Sequence, residues 1–200
     1  MSIVTWPDVR PFMPQAMSFG ASTPKSAFKA FFTGTSQKIG HLSDRLRCRL
    51  SLPPCNAVGG QLREALLLGL ASTGDLVRMR HLHRLAPLGS MRGTPTVAAA
   101  ALAGARTLRV QTTAYATLSG GDMLATGNQL LMVAYVGAAA DAGGLMDVPL
   151  VLPLLAPVSS GAAVVWDGPT GVFELITDGQ MVDYQARRLQ SGLDLDFIQS

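Results

Sequence analysis

Residues 45–52 read RLRCRLSL, and this strict alternation of polar and apolar side chains decides the fold. A period of two residues is typical of a β-strand with one buried face, because successive side chains point to opposite sides. Pro53 and Pro54 should end the strand, since proline cannot donate to a ladder. We therefore predict a core face and an outward basic face, made respectively by Leu46, Cys48, Leu50 and Leu52 and by Arg45, Arg47 and Arg49.

Strand patterns recur on both sides of this stretch. Residues 26–33 and 37–41 are two short runs around Gly34, which predicts a hairpin. Residues 76–83 repeat the alternation, with a second basic row formed by Arg78 and Arg80 opposite an apolar row. The chain should therefore build a sheet that carries two basic strands.

One helix interrupts the strands. Residues 56–71 place leucines at helical spacing, and Gly74 stands where the chain would reverse. We expect this helix to dock on the sheet through one stripe, which consists of Leu62, Leu66, Leu67 and Leu70.

From Thr94 onward, short apolar runs alternate with glycine-rich turns. This rhythm is typical of a small barrel or sandwich. The runs are residues 96–102, 107–113, 123–126, 129–136, 145–152 and 163–166, and later strands are expected at 172–176, 181–185 and 193–197. The fold class that follows is mainly β, all-β apart from one helix.

The turn residues also suggest how the chain divides. Pro87, Gly89, Gly93 and Pro95 follow one another closely, which predicts a domain boundary near residues 85–93. We predict a discontinuous domain formed by residues 1–90 with 166–200, and a small β-barrel domain, residues 94–165, inserted into it.

The composition limits the classes of protein that are possible. Hydrophobic residues make up 48% of the 200 residues and charged residues only 14%, so intrinsic disorder is excluded. No long run is suited to crossing a membrane, and residues 1–20 lack the apolar core of a signal peptide, which indicates synthesis in the cytoplasm. Cys48 and Cys55 match no metal-binding spacing, and we expect both as free thiols. A chain with so few charged residues should carry apolar surface, and we expect other copies or partners to cover that surface.

Charge is distributed unevenly along the chain. Residues 1–109 carry 14 basic and 4 acidic side chains, a net charge of +10, and residues 110–200 carry 2 and 9, a net charge of −7. A folded subunit could therefore be electrically polar, with opposite faces that attract. If the two halves interleave in space, the asymmetry averages out instead.

Nothing in the sequence matches a catalytic motif, so we expect no enzyme, no catalytic residue and no cofactor. His81 and His83 would share a strand face and could bind a metal together with His41 or Asp75, but no further ligand is obvious and we predict no metal site. Asp194 and Asp196 also share a face, which a solvated strand explains better than an acid and base pair.

The order of several short motifs resembles the Dit-like distal tail proteins, found at the tail tip of long-tailed bacteriophages and prophages. The motifs span nearly the whole chain: Trp6-Pro7, residues 26–37, the strand, helix and strand of residues 45–80, Arg92-Gly93, residues 118–133 and residues 169–173. The resemblance implies a β-sandwich or barrel collar domain made from both chain ends, interrupted by a small barrel similar to an OB-fold.

The same resemblance implies a structural role in the virion, at the tail tip, with assembly in the host cytoplasm. Six copies would close a ring that joins the tail tube to the baseplate hub or receptor-binding assembly. The expected partners are other copies, a tail-tube or tape-measure protein, and hub or receptor-binding tail proteins. Genomic DNA would pass through such a ring without specific binding.

Two other binding roles remain open. An OB-like nucleic-acid-binding protein is the main alternative, because a basic half and a possible OB-like barrel are features of such proteins. Against it, residues 94–165 contain only Arg106 and Arg109 as cations, with Tyr115 and Tyr135 as tyrosines. A carbohydrate-binding role for this unit also stays open, although Trp166 is the only nearby tryptophan.

The arginine row is the candidate subunit or partner interface. Its guanidinium groups would repeat at roughly 7 Å along the strand and repel one another unless acidic groups or water cover them. We predict an interface between copies or with a tail partner that joins basic and acidic side chains: Arg45, Arg47, Arg49, Arg78 and Arg80 with Asp178, Asp183, Asp194 and Asp196.

Overall fold

The computed structural model describes residues 2–23, 25–29, 36–40, 44–176, 184–185 and 189–200. Within these ranges the protein is mainly β with one helix, as the sequence predicts. In the same ranges, no helix is long and apolar enough to cross a membrane.

The elements follow one another in a fixed order along the chain. The first half contains β1 (Ile3–Thr5), β2 (Ala16–Ser22), β3 (Lys25–Lys29), β4 (Ser36–Gly40), β5 (Arg45–Leu52), β6 (Cys55–Asn56), α1 (Ala57–Thr73) and β7 (Leu76–Arg80). The second half contains β8 (Thr96–Val97), β9 (Thr107–Gln111), β10 (Thr117–Leu118), β11 (Met123–Thr126), β12 (Gln129–Met132), β13 (Ala138–Ala139), β14 (Leu145–Pro149), β15 (Thr170–Leu175), β16 (Tyr184–Gln185), β17 (Leu189–Gln190) and β18 (Leu193–Gln199).

The largest sheet combines strands from both ends of the chain. Its six strands lie in the order β1, β7, β15, β18, β5, β2. β1 and β7 are parallel, and every other neighbouring pair is antiparallel. The C-terminal strand β18 therefore lies between β5 and β15, and it pairs with β5 over six residues from Leu193 to Ile198. The sheet is complete only when both chain ends are present.

The alternation of residues 45–52 is confirmed. β5 spans these eight residues and ends before Pro53, as expected from its two prolines. All four apolar side chains of its core face are buried, namely Leu46, Cys48, Leu50 and Leu52. They pack with Trp6, Val77, Met79, Phe173, Leu195 and Phe197 in one hydrophobic cluster.

Helix α1 begins one residue after the predicted start at Asn56 and ends two residues beyond the predicted end at Ala71, and its buried stripe differs from the prediction. The Asn56 side chain accepts a hydrogen bond from the Gly59 backbone N–H at 2.9 Å, and Gly74 ends the helix with φ 62°. Leu67 and Leu70 are buried against the sheet. Leu62, which was expected on the same stripe, is 52% exposed, and Arg63 is 1% exposed in its place. The prediction that Leu62 belongs to the buried stripe was therefore wrong.

Arg63 is buried because backbone carbonyls surround its guanidinium group. Its Nε and Nη2 donate to the Pro11 carbonyl, the first at 2.9 Å, and Nη1 donates to the Pro53 carbonyl at 2.8 Å. The charged head is thus satisfied without water, and it joins the helix to the N-terminal segment and the end of β5.

Residues 91–166 contribute the second hydrophobic cluster. It includes Met91, Val97, Leu108, Val110, Leu118, Leu124, Leu131, Val133, Met146, Val148, Leu150 and Leu154. Around it lie a two-stranded pair β10–β13, the hairpin β11–β12 and a three-stranded sheet β14-β9-β8. The strand predicted at 163–166 was wrong, because these residues form only isolated bridges, Ala163 with Thr96 and Val165 with Ala125. The predicted runs at 96–102 and 129–136 are likewise shorter, as β8 and β12.

The hairpin β11–β12 belongs to both cores. Met123 and Leu130 pack in the cluster of the six-stranded sheet, whereas Leu124 and Leu131 pack in the second cluster. Because successive side chains of a strand point to opposite faces, one thin hairpin separates the two cores. The division into residues 1–90 with 166–200 and residues 94–165 stays a prediction.

The structure confirms a strand in each of the remaining predicted runs where it describes their residues. β3 and β4 pair antiparallel as a hairpin, while Gly34, the expected turn, lies outside the described residues. Of the run predicted at 181–185, only Tyr184 and Gln185 are described, and they form β16. β18 confirms the alternation at the C-terminus, with Leu195 and Phe197 buried.

Candidate assembly interface

The two arginine rows lie on the same outer face of the six-stranded sheet. The apolar faces of β5 and β7 both enter the first core, so their basic residues point away from it together. β15 and β18 lie between the two rows, which places the rows about 14 Å apart at the usual spacing of strands. The central strands contribute acidic residues to this face, and the sheet register decides how the charges meet.

Asp196 holds two of the arginines within the same chain. It lies directly opposite Arg49 in the β18–β5 register, and both of its oxygens accept hydrogen bonds from Arg49, at 2.9 and 3.1 Å. Arg47 Nη2 reaches Oδ2 of the same carboxylate at 3.0 Å. The hydrogen bond from Arg49 is the main cause that lowers the pKa of Asp196 below its ordinary value, and Arg47 adds to it.

Of the three other acidic residues predicted for this interface, the structure describes only Asp194. Asp194 lies opposite Ser51, whose hydroxyl donates to its carboxylate. Asp178 and Asp183 lie outside the described residues. The structure thus brings Asp194 and Asp196 onto the arginine face of their own chain, and Asp196 is already neutralised there by two arginines.

The basic residues of β7 are also held within the chain. Arg78 Nη2 donates to the Asn128 side-chain oxygen at 2.9 Å, which ties the sheet to the turn between β11 and β12. Arg80 forms an ion pair with Asp8 of the N-terminal segment. Arg45 is half-buried, and among the described residues no ion pair reaches it. The face as a whole is a mixed, largely self-paired charged surface, and its role in contacts between subunits stays a prediction.

A second surface, which sequence analysis missed, surrounds the start of α1. A groove of about 760 Å³ runs between the N-terminal segment and the helix, and Arg63 is among the residues that line it. Three large apolar side chains that line it are exposed, namely Met13, Val58 and Leu62. We call these three residues and the groove they line the helix groove. The other side chains that line it include Pro11, Pro14, Pro53, Pro54 and Cys55.

The exposed side of α1 carries no charge along its whole length. Its exposed residues are Val58, Gln61, Leu62, Ala65, Leu68, Gly69, Ala71, Ser72 and Thr73. A helix facing only water normally presents charged side chains on its outer side. The sequence could have predicted this uncharged helix face, since Arg63 and Glu64 are the only charged residues in a helix of 17.

The side chain of His81 stabilises the turn that follows β7. The Nδ1 atom of His81 accepts hydrogen bonds from the backbone N–H groups of His83 and Arg84, at 3.0 and 3.1 Å, and its ring stacks on Phe19. Burial lowers the pKa of His81, and the charges of Arg84 and His83 lower it further. Among the described residues no cluster of three possible metal ligands occurs, and His41 lies outside them.

Both cysteines are free thiols, as predicted. Cys48 is fully buried in the first core, and burial raises the pKa of its thiol to about 12. It therefore stays protonated at neutral pH and behaves as a small apolar side chain.

Comparison of the sequence with models of known protein families and with curated proteins found no match.

Proposed function

We propose that this chain is a structural component of a phage tail tip, which assembles as a ring, most simply of six copies. The ring would join the tail tube to the baseplate hub or receptor-binding assembly. The order of short motifs that resembles the Dit-like family supports this proposal. The collar that the resemblance implies needs both chain ends in one sheet, and β15 and β18 lie beside β5 and β7.

The helix groove is the observation that carries the proposal. Met13, Val58 and Leu62 expose apolar surface around one groove, next to an uncharged helix face. Soluble monomers rarely expose contiguous apolar patches, and such patches usually mark contacts with other proteins. A contact with a second copy would cover this surface, and repetition around an axis would close a ring.

The nucleic-acid alternative has less support in the structure. Arg106 forms an ion pair with Asp44 at 3.1 Å, and Arg109 lies 3.6 Å from Asp147. These are the only two cations of residues 94–165, and each is accompanied by a carboxylate. A groove for single-stranded nucleic acid needs several cations free to meet phosphates.

Sedimentation velocity of the purified chain tests the proposal, with Leu62→Glu as the variant. Leu62 is exposed, so a charge there should leave the subunit folded while it opposes burial of the groove in a contact. We expect the wild type to form a discrete oligomer, and Leu62→Glu to shift it toward monomer by about tenfold or more in dissociation constant.

Gln61→Glu is the matched control. It adds the same charge on the adjacent exposed position but leaves the apolar groove intact, so the oligomer should persist. If the wild type stays monomeric up to about 100 μM and also in mixtures with tail-tube and hub proteins, the proposal is wrong. Equal loss of the oligomer in both variants would show that added charge, rather than the groove, is responsible.

A further inference from the structure

An apolar cavity of about 220 Å³ lies where the edge of the six-stranded sheet meets the hairpin β11–β12. One wall is formed by β2 and β5, and the other by β12 and the segment that follows β14. Its apolar lining includes Phe19, Ala21, Leu46, Leu130, Met132 and Leu152. The cavity therefore borders the core of the six-stranded sheet, and it is separate from the helix groove.

Two glutamine side chains line this cavity, and they differ in their hydrogen bonds. The Gln129 oxygen accepts from the backbone N–H groups of Leu155 and Ala156, and its amide nitrogen donates to the Ala156 carbonyl. Gln199 is 3% exposed, yet within the described ranges its carboxamide makes no hydrogen bond. A carboxamide offers one acceptor and two N–H donors, so Gln199 can exchange a hydrogen bond with a polar group inside the cavity.

A charged pair lies at the same cavity. Asp44 is among the lining residues, and its Oδ2 accepts a hydrogen bond from Arg106 at 3.1 Å. The carboxylate is thus neutralised from outside the cavity. The remaining lining is apolar, which leaves Gln199 as the polar group that an occupant would meet.

The size of the cavity limits what it can hold. An engineered apolar cavity of about 150 Å³ takes up benzene, so about 220 Å³ is enough for a single ring with one or two substituents. A helix or strand is too large for this volume. The occupant must also offer one polar group, since Gln199 is the one amide at the cavity that lacks a partner in the described part of the chain.

We propose that this cavity is a binding site for a small free molecule of the phenol class, a single ring with one hydroxyl group. The ring packs against Phe19, Leu46 and Leu130, and the hydroxyl exchanges a hydrogen bond with the carboxamide of Gln199. This binding is independent of ring assembly, and it holds whether or not the proposed function is correct.

Titration of the whole chain with p-cresol and with toluene tests the site, followed by the side-chain amide resonances of Gln199 in NMR spectra. The two probes share a ring and differ by one hydroxyl. We expect both probes to bind. The dissociation constant of p-cresol should be about 3- to 10-fold lower than that of toluene, which is the usual contribution of one neutral hydrogen bond. In Gln199→Leu, toluene binding should persist and the preference for p-cresol should disappear.

Ala21→Phe and Ala16→Phe form a matched pair that does not disturb Gln199. Both residues are exposed on β2, but only Ala21 lines the cavity. Ala21→Phe should abolish binding of both probes by filling the cavity, and Ala16→Phe should leave binding unchanged. The proposal is overturned if neither probe binds at millimolar concentration, or if the preference survives in Gln199→Leu. It is also overturned if Ala21→Phe abolishes self-association, since the occupant would then be a side chain of a second copy.

Discussion

At the scale of single residues, His81 shows how one side chain can hold a connection in place. It directly follows the basic strand β7, and its Nδ1 accepts hydrogen bonds from two backbone N–H groups of the turn that leads toward the second core. An imidazole nitrogen can accept a hydrogen bond only while it carries no proton. The turn and the neutral form of His81 therefore stabilise each other.

We predict from this geometry that the protein loses stability between pH 7.5 and 5.5. The pKa of His81 in the folded chain lies below its ordinary value of 6.5, so the unfolded chain binds more protons in this range. The stabilisation is complete above pH 6.5 and is lost as pH falls through the folded-state pKa. Denaturant unfolding at pH 7.5, 6.5 and 5.5 measures the effect.

His81→Asn is the variant that isolates this effect. The asparagine oxygen can still accept backbone N–H groups but does not titrate. The fall in unfolding free energy over this pH range should therefore be smaller in His81→Asn than in the wild type. An equal fall in both proteins would assign the pH dependence to other groups.

At the scale of elements, glycine has opposite roles in α1 and in the loop beside β10. Gly69 lies inside the helix with open space where a Cβ would be. At Gly89 the same atom would lie 2.1 Å from the Thr117 carbonyl oxygen, which is backbone and cannot move aside. Gly89 also donates its N–H to Asp122 at 3.1 Å, so the loop is held close to the strand from both sides.

The two glycines give a paired prediction for thermal or denaturant unfolding. Gly69→Ala should stabilise the protein by about 0.5–1 kcal/mol, because alanine favours the helix and meets no neighbour. Gly89→Ala should destabilise it by more than about 2 kcal/mol, because the loop must separate from β10. Equal effects of the two substitutions would contradict this assignment of the close approach.

At the scale of the whole molecule, the hairpin β11–β12 connects two cores through neighbouring residues. Leu130 faces the core of the six-stranded sheet and Leu131 faces the core of residues 91–166. The two side chains have the same chemistry and are nearly as buried as each other. They can therefore report on the two cores separately.

We predict that Leu130→Ala and Leu131→Ala each cost about 2–5 kcal/mol, but in different parts of the chain. Hydrogen exchange should quicken around Val77 and Leu195 in the first variant, and around Val110 and Val148 in the second. If both variants quicken exchange equally throughout, the two cores unfold as one cooperative unit. The predicted division into two domains would then be wrong.

The sequence by itself determined the elements whose signals are local. The alternation of residues 45–52 predicted both faces of β5, because side-chain direction in a strand follows from its period alone. The leucine spacing located α1 near residues 56–71, and Gly74 marked its end, because helix periodicity and a left-handed glycine are both local signals. The mainly β fold class followed from the same patterns.

Only the tertiary structure decided which charges meet and which surfaces stay open. Arg49 and Asp196 are 147 residues apart, and the β5–β18 register pairs them within one chain. Arg63 rather than Leu62 is buried, because the carbonyls of Pro11 and Pro53 converge on it from other segments. The cavity beside Gln199 likewise arises between elements distant in sequence. Local periodicity specifies which residues share a face, but only packing specifies what that face contacts.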